Sequence, residues 1–469
     1  MIRIFIDLGS TFTKAVAFDL ESETLLGSAR APSTADTDVT EGLLSALGIL
    51  KSEIPAISER EIRSATACSS AAGGLRLAVI GLVPDYTTKA GYLAALGAGA
   101  KVVSSFSYEM TRAELRELEA SRPDIVLLTG GTDGGNRRAI VHNAKALAAS
   151  PGIYSVIAAG NKSARDEIED AFSGCGKLLT FAPNVMPEFG RLELDPVNAR
   201  IRELFISRIA DAKGVARARD IIAGVVMPTP AAVLEAAKLI AVGVPDESKI
   251  RRGEDGAPDE PGLGELLLVD VGGATTDVYS IARGDPRDGA RLLGLREPYA
   301  KRTVEGDLGL YHNLDTLAAL TKSALPESER ADFDSGVERL RRGLSVPEGD
   351  AAARYHLALA RAAVEAAVLR HAGRMEIMRL PDGDARIQRG KDLGGVKLVI
   401  GSGGPLAFSS DPRFVLGGAR ASELSPDALA PREPRLMLDY KYILFAVGLL
   451  SSDEPAKALR LAKKYLTEL

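Results

Sequence analysis

Tryptophan is absent from this chain, cysteine occurs twice and histidine four times in 469 residues. Each scarcity excludes something. Cys68 and Cys175 are too few for a disulfide framework and lack the spacing of a zinc or iron–sulfur site within one chain. Cys68, in SATACSSAAGGL, reads as a small buried thiol. His356 and His371 have no second ligand three or four positions away and read as ordinary helix residues, while His142 and His312 have no histidine or cysteine nearby. Aromatic residues, at 5%, leave little with which to stack a sugar. Positive charge is not in excess either. A net charge of −5 and a pI near 5.7 give no electrostatic footprint for nucleic acid or an anionic membrane. The longest clean apolar run, YILFAVGLL at 442–450, falls far short of the ~20 residues a membrane span needs. Asp7 interrupts any apolar signal core at the N-terminus. The expectation is a cytoplasmic, reduced protein with no nucleic-acid and no membrane partner.

What the chain does contain is one strongly patterned stretch, present twice. In LLLVDVGGATTDVYS, residues 266–280, four apolar residues run into Asp270, then Gly272 and Gly273, then Thr275, Thr276 and Asp277. The pattern predicts a buried strand, a tight turn and a return strand. Glycines there remove the Cβ atoms that would keep an anion off the backbone, and consecutive amides facing one way form an anion-binding concavity. Carboxylates beside a phosphate make sense when a metal ion sits between them. IRIFIDLGSTFTKAVAF, residues 2–18, repeats the pattern with Asp7, Gly9 and Thr13 at the positions of Asp270, Gly272 and Thr276. Two copies predict an internal duplication of a nucleotide-binding half. The competing reading of Asp7 and Asp270 is a turn-capping carboxylate. Other nucleotide motifs are absent: there is no G-x-x-x-x-G-K-[ST], and neither GSGGPL nor GTDGGN completes G-x-G-x-x-G.

Between the copies the chain alternates strand and helix. Three antiparallel strands open it, and a helix at 40–50 begins at Thr40. The small-residue stretch SSAAGGLRLAVIGL reads as close packing. PDIVLLTGGTDGGN, residues 123–136, is a strand ending in Gly130-Gly131 and Asp133-Gly134-Gly135 before a helix from Arg137 to Ala149. It is either a ligand loop at the carboxyl end of a sheet or only a tight turn. Helix SARDEIEDAF is capped by Ser163, and an Ala-rich helix with Pro230 in its first turn covers 229–243. Residues 244–264 read as a linker. A largely helical region extends to about Met378, with a charge-rich piece at 327–350. GVKLVIGSGGPLAF, residues 395–408, is a strand followed by Gly401-Ser402-Gly403-Gly404, and 436–450 reads as an apolar helix. The predicted division is 1–244 with an inserted α/β subdomain, 245–435 with a helical subdomain, and 436–469 as helices returning toward the first domain.

IDLGSTFTK resembles the first phosphate motif of the actin, sugar kinase and heat-shock chaperone ATPase superfamily, VDVGGATTD its second, and VIGSGGPLA its adenosine motif. The resemblance implies an α/β fold of duplicated ribonuclease H-like (actin-like ATPase) domains with an interdomain nucleotide cleft, binding ATP and Mg²⁺. At finer grain LLTGGTDGGN, NVMPEFGRLELDP, MPTPAAVLEAA, LLLVDVGGATTDVYS, RTVEGDLGL and GSGGPLA make nearly the whole chain similar to the GlmL family, also called MutL in glutamate mutase operons. That likeness implies an accessory protein that reactivates adenosylcobalamin-dependent glutamate mutase by ATP-driven release of damaged cobalamin, with the mutase subunits as partners and a homo-oligomer left open. No D-x-H-x-x-G segment is present, so a histidine ligand to cobalamin is not expected. Under the superfamily pattern Asp7 and Asp270 hold Mg²⁺ through its waters. Ser10, Thr11 and Thr13 grip phosphate from one side, with Gly9 in the turn, and Gly272, Gly273, Ala274, Thr275 and Thr276 from the other. Lys14 neutralises phosphate charge, Asp277 orients the attacking water, and Gly401, Ser402, Gly403 and Gly404 flank the adenosine. Glu305 and Asp307 are either water-orienting or a helix start. A metabolite kinase of the same superfamily and a non-enzymatic actin-like scaffold are the alternatives.

Overall fold

The structure, a computed structural model, describes residues 1–34, 37–70, 75–209, 215–245, 260–325, 327–341, 350–380 and 383–469. Part of the small-residue stretch after Ser70, most of the 244–264 linker and the end of the charge-rich piece lie outside the described residues.

Strands β1 (Ile2–Leu8), β2 (Phe12–Asp19) and β3 (Thr24–Pro32) form the expected antiparallel trio. Strand β4 (Thr66–Ser69) lies parallel to β1 on its other side. The chain then leaves to build a separate sheet from β5 (Arg76–Gly81), β6 (Lys101–Ser107), β7 (Ile125–Leu128), β8 (Ser155–Ala158) and β9 (Leu179–Phe181). It returns as β10 (Gly224–Pro228), parallel to β4. A two-stranded ribbon, β11 (Gly243–Val244) with β12 (Glu260–Pro261), precedes the second half. There β13 (Leu266–Val271) and β14 (Thr276–Ile281) form the second hairpin. β15 (Arg291–Leu292), β16 (Ala300–Glu305), β17 (Arg374–Leu380), β18 (Gly383–Arg389), β19 (Leu398–Ser402), β20 (Arg435–Leu438) and β21 (Thr467–Glu468) complete the set.

The two main sheets correspond strand for strand. The first is ordered β3-β2-β1-β4-β10 and the second β16-β14-β13-β19-β20, with β21 added at its edge. In both, the first three pair antiparallel and the next two parallel, while the added β21 pairs antiparallel with β20. This shared order and sense is the duplicated ribonuclease H-like fold. The central strands are buried on both faces, which explains why Leu266, Leu267, Leu268 and Val269 run unbroken instead of alternating.

Three helices fill the space between the sheets: Thr229–Val242, Leu444–Leu450 and Pro455–Tyr465. Their apolar faces share one core with Phe5 and Phe18 of the first sheet and with Leu266, Leu268 and Tyr279 of the second. Each such fully buried side chain contributes roughly 1.5–3 kcal/mol. Small alanines at 231, 232, 236 and 237, all fully buried, let the first of these helices lie close to its neighbours. The C-terminal helices are tied to the first half by Arg460 to Glu23 and by the Tyr465 hydroxyl, which accepts from the Leu25 amide at 2.8 Å.

The inserted sheet is all-parallel, ordered β6-β5-β7-β8-β9, with a core on each face. The Gly130–Gly135 loop lies at the carboxyl end of β7 and is hydrogen-bonded to two asparagines outside it. Asn161 Oδ1 accepts from the Gly134 amide, and Asn184 Nδ2 donates to Gly131 O and Asp133 Oδ1.

Several local expectations need correction. The first helix spans Val39–Glu53 and is capped by Asp38, whose carboxylate accepts from the Thr40 amide. Asn161, not Ser163, caps the turn before helix Arg165–Phe172. The helical region ends at His371, because β17 begins at Arg374. Residues 436–438 are strand, since β20 pairs with β19 and the helix starts only at Leu444. No helix among the described residues is long and apolar enough to cross a membrane.

Candidate nucleotide site

Each half closes its hairpin on a glycine at the same point. A Cβ at Gly9 would lie 2.5 Å from Phe12 O, and one at Gly272 would lie 2.9 Å from Thr275 O. Both turns therefore close only around glycine. The turns meet across a cavity of about 1050 Å³, close enough that a Cβ on Gly273 would come 3.3 Å from Thr11 Oγ1.

Asp7 is 2% exposed, and both its oxygens have partners. Lys14 Nζ donates to Oδ2 at 3.2 Å, and the Thr229 hydroxyl donates to Oδ1 at 2.6 Å. Cys68 lies beneath, with Sγ 3.8 Å from Oδ1; burial pushes its thiol well up, in keeping with an inert core residue. Lys14 Nζ also sits 3.6 Å from the Tyr442 ring centroid, a cation over an aromatic face.

Asp270 differs. Its carboxylate lines the cavity and takes no hydrogen bond or ion pair among the described residues. Burial, with the Asp277, Asp7 and Asp439 charges adding to it against Lys14, pushes it up to about 7. Directly across the strand stands Asp277. Its Oδ1 accepts from Arg302 Nε at 2.8 Å and Nη2 at 2.5 Å, and its Oδ2 accepts from the Thr275 hydroxyl at 3.0 Å.

Of the predicted site residues, Asp7, Gly9, Ser10, Thr11, Lys14, Asp270, Gly272, Gly273, Ala274, Thr275, Asp277 and Gly404 line this cavity. Thr13, Thr276, Gly401, Ser402 and Gly403 do not. Successive strand residues point to opposite faces, so with Lys14 and Asp277 turned to the cavity, Thr13 turns toward the helix at Gly42 and the Thr276 hydroxyl donates to Leu308 O. Gly401 packs against Leu406 and Leu416. The Ser402 hydroxyl donates to Asp439 Oδ2 at 3.1 Å. Gly403, at φ +98, supports the site from behind: a Cβ there would stand 2.7 Å from Asp270 Oδ1.

Glu305 and Asp307 are engaged by Arg370, at 2.8 Å for Glu305 and at 2.7 and 2.9 Å for Asp307. They form an ion-pair cluster and not part of the cavity wall. His371 is buried between Thr303 Oγ1 and Ser280 Oγ, 2.8 Å from each. His356 is a helix residue as expected but also lines the cavity beside Tyr311, and burial holds its imidazole down to about 4.

Residues that sequence reasoning missed are Arg302, Thr229, Asp439 and Tyr442. Asp439 follows β20 and caps helix Leu444–Leu450, accepting from the Ile443 and Leu444 amides at 2.9 and 3.1 Å. Thr229 follows β10 at the start of its own helix, so the duplication itself was a signal for both. Nothing local marks Arg302 or Tyr442.

Among the described residues no group of three or more histidines, cysteines or carboxylates is arranged to hold a metal alone. Asp7 and the unpartnered Asp270 supply hard oxygen donors at the mouth of two amide-rich turns. That donor set fits a magnesium ion that keeps most of its water and shares a nucleotide's phosphates.

A family model described as MutL protein matches residues 3–466. Protein MutL of Clostridium tetanomorphum is 40% identical over 472 residues, spanning 99% of each chain. Among solved structures, a nucleotide-free acetone carboxylase, described under ATP-dependent acetone carboxylation, is similar at 12% identity over 95% of this chain and 70% of that one, with a TM-score of 0.35. Xylulose kinase from Rhodospirillum rubrum is similar at 14% identity over 100% and 93%, with a TM-score of 0.33.

Proposed function

The chain belongs to the MutL protein family, and on that premise we propose that it is an ATP-hydrolysing accessory protein that reactivates an adenosylcobalamin-dependent glutamate mutase in the cytoplasm. The observation that carries the ATPase reading is the pairing of two glycine-turn hairpins, each with an inward carboxylate, across one cavity. The mutase as client follows from the family resemblance.

In this reading the amides and hydroxyls of Ser10 and Thr11 hold the phosphates from one side, and those of Gly273, Ala274 and Thr275 from the other. Lys14 offsets phosphate charge, and Gly404 borders the adenosine. Asp7 and Asp270 hold the hydrated magnesium, which when bound neutralises charge on the transferring phosphoryl group. Asp277 Oδ2, the oxygen that Arg302 leaves to Thr275, orients the attacking water. Loss of the γ-phosphate removes contacts shared by both hairpins, so the halves change their relative populations of open and closed forms. That movement is the work done on the client, whose damaged cobalamin is released.

The test is phosphate release by the purified chain with Mg-ATP, with and without inactivated mutase, alongside a screen of small acceptors. Stimulated release of inorganic phosphate is expected. Transfer of phosphate to a metabolite would instead make the chain a kinase and sink the reactivase reading.

A further inference from the structure

Helix Lys89–Gly97 belongs to the inserted sheet's domain, yet the second half holds it at both ends. At its start Lys89 Nζ lies 2.9 Å from Glu297 Oε1, and Glu297 Oε2 takes Lys301 Nζ at 2.7 Å. At its end Arg302 Nη1 donates to the carbonyl oxygens of Leu96 and Ala100, both at 3.1 Å. A cation at the C-terminal end of a helix meets the negative pole of its dipole, so this is a favourable grip.

The same guanidinium holds the phosphate hairpin. Its Nε and Nη2 close on Asp277 Oδ1 at 2.8 and 2.5 Å, and the residue is only 3% exposed. One planar, rigid group thus grips a carboxylate beside the turn Gly272–Thr275 and the end of a helix from another domain. A guanidinium cannot turn its fork without turning its third nitrogen. Were Asp277 to reorient as a phosphate arrives or leaves, the same group would pull on the Leu96 and Ala100 carbonyls, and a load on the helix would turn Asp277.

We infer that Arg302 couples the nucleotide site to the inserted α/β domain, acting as a positioning residue that sets Asp277 and passes its orientation to helix Lys89–Gly97. The inference rests on the nucleotide reading of the cavity and extends it. It makes the inserted domain the arm on which a protein partner acts, and because coupling is reciprocal, a partner that shifts this arm changes hydrolysis.

The test is amide hydrogen exchange on the full chain with Mg-ADP and with Mg²⁺ plus a non-hydrolysable ATP analogue, read over residues 89–101 and over the turn at 271–276. In the wild type both segments are expected to differ between the two nucleotides. Arg302→Lys keeps the charge but has no fork. It should lose the difference over 89–101 and keep it over 271–276, with kcat lowered roughly 10- to 100-fold and KM within about twofold. Lys89→Met breaks only the other clamp and should leave kcat near wild type while reducing the difference over 89–101. If Arg302→Lys does not fold, Arg302→Met combined with Asp277→Asn removes both buried charges together and carries the same exchange test. A wild-type helix indifferent to nucleotide while the turn responds, or an Arg302 variant that keeps the full difference, would reduce Arg302 to a structural ion pair. If the turn itself responds to neither nucleotide, the nucleotide site is wrong and the coupling falls with it.

Discussion

Across the strand from Asp7 stands Lys14, and at the same register across from Asp270 stands Asp277. The two hairpins share strand sense, turn glycine and position within their sheets, and differ in the sign of one side chain. In the first half, the lysine and Thr229 hold Asp7 with both oxygens occupied. In the second, two carboxylates face each other, one anchored by Arg302 and the other without a partner among the described residues. A duplicated backbone has been given unequal work. In the first hairpin the carboxylate has a partner on each oxygen, while in the second Asp270 has none among the described residues.

The largest effect should come from removing the carboxylate that has no partner among the described residues. Asp270→Ala should lower phosphate release by at least ~10²-fold, a loss on the scale of a catalytic electrostatic group, and turnover close to wild type would refute the site. Next in size is Asp277→Asn. A steady-state assay should find kcat down about 10²-fold with KM little changed. Thermal or denaturant melts should show roughly 3 kcal/mol less stability, since Arg302 is left buried without its charged partner.

The third effect is one of pH. Asp270 has a folded value near 7, above that of an unfolded carboxyl, so the ligand-free folded chain binds this proton more tightly than the unfolded one. Its contribution to stability is present below the unfolded value and is lost as pH rises through about 7. Mg-nucleotide binding needs the ionised form and should strengthen over the same upper range. Melting temperatures from pH 5 to 8 should thus fall without ligand relative to Asp270→Asn, and the increment from Mg-ATP should grow; parallel curves for the two proteins would remove the special status of Asp270. The smallest effect belongs to the first half. Thr229→Val deletes one hydroxyl bond to Asp7 and should cost about 1 kcal/mol in a denaturant melt, with phosphate release lowered only a few-fold.

Much of this site is local and was therefore legible. A strand, a glycine and a carboxylate at fixed spacing announce the hairpins, and their recurrence announces the duplication. The misplacement of Thr13 and Thr276 was avoidable from strand periodicity, because a residue next to Lys14 or Asp277 cannot share its face. The spent state of Glu305 and Asp307 was not avoidable. Their partner Arg370 lies on helix Asp350–His371, and only packing brings it to them.

The sequence by itself determined the two glycine turns, the carboxylates at their bases and the family, because each is written in contiguous residues. Which carboxylate has no partner among the described residues was decided by the tertiary structure alone. Thr229 reaches Asp7, Arg302 reaches Asp277 and Asp439 reaches Ser402 only after sheet register and the connecting helices have brought distant segments within hydrogen-bonding distance. Such a bond depends on tenths of an ångström, a precision that spacing along a chain does not carry.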